Sequence, residues 1–365
     1  MNLKTNEPIN LKYMMKVISI ATWLMLLILA GCSDASPYAE GPSAQERTIT
    51  LNLDITTRAD ELLPDNSEPD IIRLWIFDKN NNFITYIVSS QNEWTSVGDG
   101  KKDIKTTLQT EIAAKDINSK SEFKIYLILN QPYEDSTTPI DFSNIKTINE
   151  LEQKTFVLTE YGGDNKVPMT GEGTATFLSV EGNKIIFDAS INATRCVAKL
   201  ELYCTKRTSS SKLIIKSFTL NNVPDKGYLF TPVDNDIIDY TKNRDLLSGN
   251  SGGVTIATSY TTELPTDIES VKSSFTKIDF DNPYLLENTY GDEQFVTEIV
   301  NPGMRYNLTV KYNFNGSDYE QTIYLPKIER NTWYKLYMRM KEIELDTYCQ
   351  INSWTEHEME VPAFE

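Results

Sequence analysis

The chain has 365 residues, a formal charge of −17 and a single histidine, His357. So acidic a surface repels nucleic acid and anionic lipid. One imidazole in the last few residues serves neither a multi-histidine metal site nor a Ser-His-Asp or Cys-His catalytic frame. The length suits two ordinary domains.

In chain order, residues 1–14 carry no coherent signal, and Met14 or Met15 fits as the start of translation. Lys16 then precedes a nearly unbroken apolar run over residues 17–29, closed by Leu29-Ala30-Gly31-Cys32. A short basic region, an apolar stretch too short for a comfortable membrane span and small residues before the cut describe a secretory signal over residues 1–32. Residues 33–45, rich in Ser, Pro, Ala and Gly, read as a flexible tether.

Residues 48–55 alternate as a half-buried strand. Ile49, Leu51, Leu53 and Ile55 fall on one face, with Thr48, Thr50, Asn52 and Asp54 on the other. Arg58 follows directly, so a strand with a tether on one side and a tryptic-type site on the other can be removed by one cut. Burying four large aliphatic side chains is worth about 6–12 kcal/mol, against a whole-domain stability of about 5–15 kcal/mol. Loss of the strand without a replacement would leave the domain near its limit. Arg47 is a second, weaker cut site, because cleavage there leaves the strand in place. The pattern equally fits an ordinary first strand that stays in its sheet, with Arg58 a plain loop residue.

Residues 71–77 and 83–88, joined by Asp78-Lys79-Asn80-Asn81-Asn82, read as a hairpin, and residues 123–129 as a central strand. Thr147 and Glu150 have capping-box spacing before Leu151 and predict a short helix. Residues 191–204 alternate as one strand, with Cys196, Ala198, Leu200, Leu202 and Cys204 sharing a face. Another strand spans residues 212–220, and the polar stretch 234–253 reads as a long surface loop. Residues 306–314, the turn Asn315-Gly316 and residues 319–325 form the clearest hairpin signal. Two further strands cover residues 332–341 and 347–354. Strands at short spacing with few helices predict an all-β protein of two β-sandwich domains, residues 59–190 and 191–365.

Besides Cys32 there are three cysteines, Cys196, Cys204 and Cys349. Cys196 and Cys204, eight residues apart on one straight strand, would lie about 27 Å apart, too far for a disulfide. Buried free thiols, or one bridge to Cys349, remain. Gly98-Asp99-Gly100 and Gly171-Glu172-Gly173 lack the context of a nucleotide site and read as turns. No cofactor, metal site or carboxylate pair is indicated, so the sequence points away from an enzyme. Trp75, Trp333 and Trp354 sit in strand patterns and read as packing residues rather than sugar-stacking faces. Asp135-Ser136-Thr137 fits a short glycosylation-like pattern.

The ordered motifs resemble those of the fimbrillin family, the major fimbrial subunits of Bacteroidota type V pili. Leu29-Ala30-Gly31-Cys32 is similar to a lipobox. Residues 48–55, Thr57-Arg58-Ala59 and residues 71–78 match the family's order of provisional strand, Arg processing site and first mature strand. Residues 126–130, 167–171, 195–199, 284–288, 327–334 and 349–354 continue the match. The resemblance implies an acyl (palmitate) anchor on Cys32 holding a lipoprotein precursor at the outer membrane, and cleavage after Arg58 by an Arg-specific protease. It further implies two transthyretin-like sandwiches, and polymerisation with other pilus subunits as the C-terminal segment of one fills the groove vacated in the next. The donor here would span residues 348–364, with Cys349, Ile351, Trp354, Met359 and Val361 as its apolar positions, although Glu356, Glu358, Glu360 and Pro362 suit an apolar groove badly. Adhesion to a host glycan or protein would follow from surface display. The alternatives are an anchor subunit that keeps its lipid and first strand, and a monomeric glycan-binding surface lipoprotein.

Overall fold

The computed structural model describes residues 48–57, 69–90, 92–97, 103–113, 120–158, 166–182, 184–230, 238–247, 252–288, 304–341, 345–353 and 358–359. The first half contains β1 (Thr48–Thr57), β2 (Ile72–Asp78), β3 (Phe83–Ser89), β4 (Thr95–Val97), β5 (Asp103–Ala113), β6 (Phe123–Leu129), α1 (Ile148–Glu152), β7 (Thr155–Phe156), β8 (Met169–Glu181) and β9 (Lys184–Arg195). The second contains β10 (Val197–Lys206), β11 (Leu213–Val223), β12 (Gly227–Tyr228), β13 (Lys242–Asp245), β14 (Val254–Ile256), a 3-10 helix (Ile268–Ser274), β15 (Thr276–Ile278), β16 (Tyr284–Leu286), β17 (Asn307–Phe314), β18 (Ser317–Tyr324), β19 (Thr332–Met340), β20 (Leu345–Ser353) and β21 (Glu358–Met359).

Eight strands join in the order β3-β2-β6-β8-β9-β1-β5-β4. The sheet doubles over, so that Ile72, Leu74 and Ile76 of β2 share one core with Leu51 and Leu53 of β1 and Phe187 of β9. In the second half, the sheet β15-β10-β19-β20-β21 packs on β13-β11-β17-β18 around a core that includes Leu200, Leu220, Tyr312 and Leu336. Both halves are therefore β-sandwiches, as the strand spacing predicts.

Local chemistry explains the elements that the sequence marks. The Thr147 hydroxyl accepts from the Glu150 amide, and the Glu150 carboxylate accepts in return from the Thr147 amide, which completes the capping box of α1. Asn315 and Gly316 take φ of 52° and 95°, the left-handed pair that a tight hairpin between β17 and β18 demands. β6, between β2 and β8, is buried on both faces apart from Lys124.

Three expectations fail. Residues 191–204 are two strands: β9 ends at Arg195, β10 starts at Val197, and Cys196 packs with Val197 in a different core from Ala198 and Cys204. The backbone changes partners there, since the Cys196 amide donates to the Pro168 carbonyl while the Asn331 amide donates to the Val197 carbonyl. β10 is buried on both faces, so a period-two pattern that runs on from β9 hides the slip. The stretch 234–253 is no plain loop, because β13 pairs with β11. Gly171 and Gly173 lie inside β8, where a Cβ would come within 2.8 Å of the Asn192 carbonyl oxygen and 2.7 Å of Ile191 Cγ1, respectively. Glycine serves close approach of β9 here rather than a turn.

The crossing at Cys196 is clasped from several directions. Arg330 binds Glu287 at 2.8 Å and donates to the Leu229 and Tyr228 carbonyls. Thr170 also donates to the Leu229 carbonyl. The Asn130 side chain donates to the Val167 carbonyl. Most of the interior motifs that carry the fimbrillin resemblance meet at this one place.

Candidate functional site

β1 is an interior strand. It pairs in parallel with β9 from Thr48↔Lys184 to Thr57↔Ala193, and antiparallel with β5 from Thr48↔Ala113 to Thr57↔Ile104. Ile49, Leu51, Leu53 and Ile55 have no solvent exposure. In register beside them on β9 stand Ile185, Phe187, Ala189 and Ile191, and all eight belong to one core. The alternation read from the sequence is therefore the alternation that the fold uses, and the four aliphatic side chains carry the strand's about 6–12 kcal/mol of burial.

The outward face of β1 holds a short polar ladder. Asn52 Nδ2 donates to Asp188 Oδ1 at 2.9 Å on the β9 side, and Gln109 Nε2 donates to Asn52 Oδ1 at 3.2 Å on the β5 side. Asp54 accepts from Lys105 Nζ at 2.7 Å and from the Thr107 hydroxyl at 3.0 Å. The Lys105 hydrogen bond is the main reason that the Asp54 carboxyl is held below the usual carboxylate range. Thr50 breaks this satisfaction. It is 2% exposed, and its hydroxyl has no partner among the described residues.

The strand order gives β1 a second role. Among the described residues β5 and β4 reach the eight-stranded sheet only through β1. Taking β1 out would uncover the facing edges of β9 and β5 together with the apolar floor between them, which is an open template for another strand. The sequence reading missed β5, β8 and the first half of β9, and with them Asp188, Gln109, Lys105 and Thr107. The alternation Ile104, Thr106, Leu108, Thr110, Ile112 was the available signal for β5; threonines at two of these five positions weaken it.

The residues proposed for the donor have a different setting. Cys349 is buried in the second sandwich's core, and Ile351 is half-buried against it, both in β20. β20 pairs with β19 from Leu345↔Met340 to Ser353↔Thr332. On its other side, among the described residues, Glu358 and Met359 of β21 add to it. Arg339, 2% exposed, binds Asp346 at 2.6 Å and fixes the start of the strand. Cys32, Arg47, Arg58, Trp354 and Val361 lie outside the described residues.

Cys196, Cys204 and Cys349 are free and buried. Burial pushes the Cys196 thiol up to about 11 and that of Cys349 up to about 12, and raises Cys204 likewise. None is a ready nucleophile. Among the described residues no group of three or more His, Cys, Asp or Glu could hold a metal ion, and no helix is long and apolar enough to cross a membrane. Trp75 is fully buried and Trp333 is 6% exposed; the Lys199 and Lys335 ammonium groups lie 5.1 and 4.7 Å from the Trp333 ring. Neither indole is open to a sugar.

Residues 48–226 match the family described as Major fimbrial subunit protein (FimA). Among solved structures, the chain is similar to the C-terminally truncated tip fimbrial protein Mfa3 from Porphyromonas gingivalis. That likeness has 12% identity and a TM-score of 0.52, and it covers 83% of this chain and 99% of that one. A fimbrial assembly protein from Parabacteroides distasonis gives 11% identity and a TM-score of 0.48, covering 83% of this chain and 96% of its own. No curated protein matches significantly.

Proposed function

We propose, from the membership of residues 48–226 in the major fimbrial subunit family, that this chain is a structural subunit of a cell-surface fimbria that works by assembly and adhesion rather than catalysis. The precursor is exported as a lipoprotein, acylated at Cys32 and held at the outer membrane through residues 33–47. An Arg-specific protease cuts after Arg58. β1 is then lost from the eight-stranded sheet, and a strand from the neighbouring subunit fills its place. The mature subunit is two sandwiches divided between β9 and β10, and it presents its exposed surface to a host glycan or protein.

The observation that carries this reading is the position of β1. It is an interior strand with four fully buried aliphatic side chains, yet it belongs to the chain's first described segment and the candidate cut at Arg58 follows its last residue directly. A strand that stays for good gains nothing from such an exit. Covalent release at one bond, by contrast, separates β1 and its tether from the whole remaining fold. The C-terminal segment is the source of the incoming strand.

N-terminal sequencing of subunits recovered from surface fimbriae tests the reading. Material starting at Ala59, running as SDS-resistant ladders, is expected. Assembled fibres whose subunits still begin at an acylated Cys32 would overturn it, and would favour an anchor that keeps its lipid and β1.

A further inference from the structure

We propose that the slot occupied by β1 is read on both faces. The inner face requires alternate aliphatic residues. The outer face selects a partner strand with a side-chain amide between Asp188 and Gln109 and, two residues later, a carboxylate opposite Lys105 and Thr107. The proposal rests on the exchange reading above and names the chemistry of the strand that enters.

Asn52 is flanked by an acceptor on β9 and a donor on β5, at 2.9 and 3.2 Å. An amide does both at once through two separate atoms, its Nδ2 donating to Asp188 and its Oδ1 accepting from Gln109. A carboxylate there would face the Asp188 carboxylate across adjacent strands, where like charges are unfavourable. At the next outward position Lys105 and Thr107 both donate to Asp54. A neutral or basic residue would leave the Lys105 ammonium without its acceptor. The amide-x-acid pair therefore fixes both the identity and the register of the entering strand, since a slip by two residues puts the wrong group against Asp188.

At Thr50 the slot asks for something that β1 lacks. That side chain is buried with a hydroxyl that has no partner among the described residues, so a β-branched aliphatic of the same shape would fill the site without the desolvation penalty. β1 is thus a resident strand with one built-in defect, which an incoming strand can better. The chain's own residues 358–361 meet the pattern only in part. With Met359 at the position of Leu53, Glu360 would face Lys105, but Glu358 would stand against Asp188. The favoured occupant is therefore a strand of a different subunit that carries the amide-x-acid pattern.

The test uses the full chain cleaved after Arg58, in which β1 stays bound without a covalent link, and labelled peptides of residues 48–57 as the entering strand. Native mass spectrometry reads incorporation. The unmodified peptide is expected to enter. Peptides carrying Asn52→Asp or Asp54→Lys should enter about fivefold less, and Thr50→Val about fivefold more. Lys105→Glu in the protein should restore the Asp54→Lys peptide, while Leu53→Glu should be shut out. Equal entry of the Asn52, Asp54 and Thr50 variants, with Leu53→Glu still excluded, would overturn the outward-face selection alone. Failure of the unmodified peptide to enter, or free entry of Leu53→Glu, would overturn the exchange reading together with it.

Discussion

β1 and β20 are strands of similar length held in different ways. β1 is paired along its full length on both sides and buries all four of its aliphatic residues. β20 has one full partner, a two-residue strand on its other side, and a half-buried Ile351 near its end. β1 is held by apolar area spread evenly along the strand, whereas β20 is fixed at its start by the buried Arg339 beside Asp346. Evenly spread apolar contact asks only for a period, whereas a contact between particular charges asks for particular residues. β1 makes both kinds, through its inward aliphatics and through Asp54 on Lys105.

The sharpest way to break that contrast is to put a carboxylate into each strand. Leu53→Asp should cost about 4–5 kcal/mol or more, because a fully buried position offers the charge no partner. Ile351→Asp, at a half-exposed site, should cost about 1–2 kcal/mol. Urea denaturation of the two variants checks this, and equal losses would remove the distinction. Arg339→Met comes next, at about 2–3 kcal/mol, since it deprives a partly buried Asp346 of its main partner. Hydrogen exchange should then quicken over residues 345–349 and leave β1 unchanged.

A smaller effect is expected from the support beneath the slot. Gly173→Ala places a Cβ 2.7 Å from Ile191 Cγ1 and should cost about 1–2 kcal/mol through displaced packing. Ile191→Ala, which removes Cγ1, should cost less in the Gly173→Ala chain than in the parent, which would assign the cost to this contact. The smallest effect is electrostatic. Asp54 has a folded pKa below its unfolded value, so it contributes stability above about pH 4, lost as pH falls through the lower folded value. Both partners of this pair are more than a third exposed, so screening holds the contribution to about 1 kcal/mol or less. Lys105→Ala should lower thermal stability slightly at pH 7 and leave it level with the parent chain at pH 2. A difference that persists at pH 2 would mean that Lys105 acts through packing instead.

Much of the fold is legible where a periodic run or a turn motif is written locally. β1, the β2–β3 hairpin, the capped turn at Thr147 and the hairpin at Asn315-Gly316 all sit where their patterns place them. The sequence misleads where a covered run changes sheet, not wherever both faces are buried, since β6 is covered on both faces and lies where its apolar run places it. The crossing at Cys196 passes between two cores with apolar neighbours on either side, and the apparent run through residues 191–204 conceals a change of sheet. Gly171 and Gly173 look like turn residues because glycine breaks most strands. Their reason is the approach of Ile191 and Asn192, which are twenty residues away in the chain.

The candidate site divides in the same way. Local alternation determines that residues 48–55 form a strand with one apolar face, and Arg58 follows it as a candidate cut site. Period-two patterning is a property of the segment itself, so it needs no knowledge of neighbours. That this strand lies inside a sheet, that β4 and β5 hang from it, and that Asp188, Gln109, Lys105 and Thr107 ring its outward face were decided by tertiary pairing alone. Those residues lie 51 to 136 positions from the partners they meet. Strand order and register bring them together through long-range hydrogen bonds and a shared core, and no window of local sequence contains either.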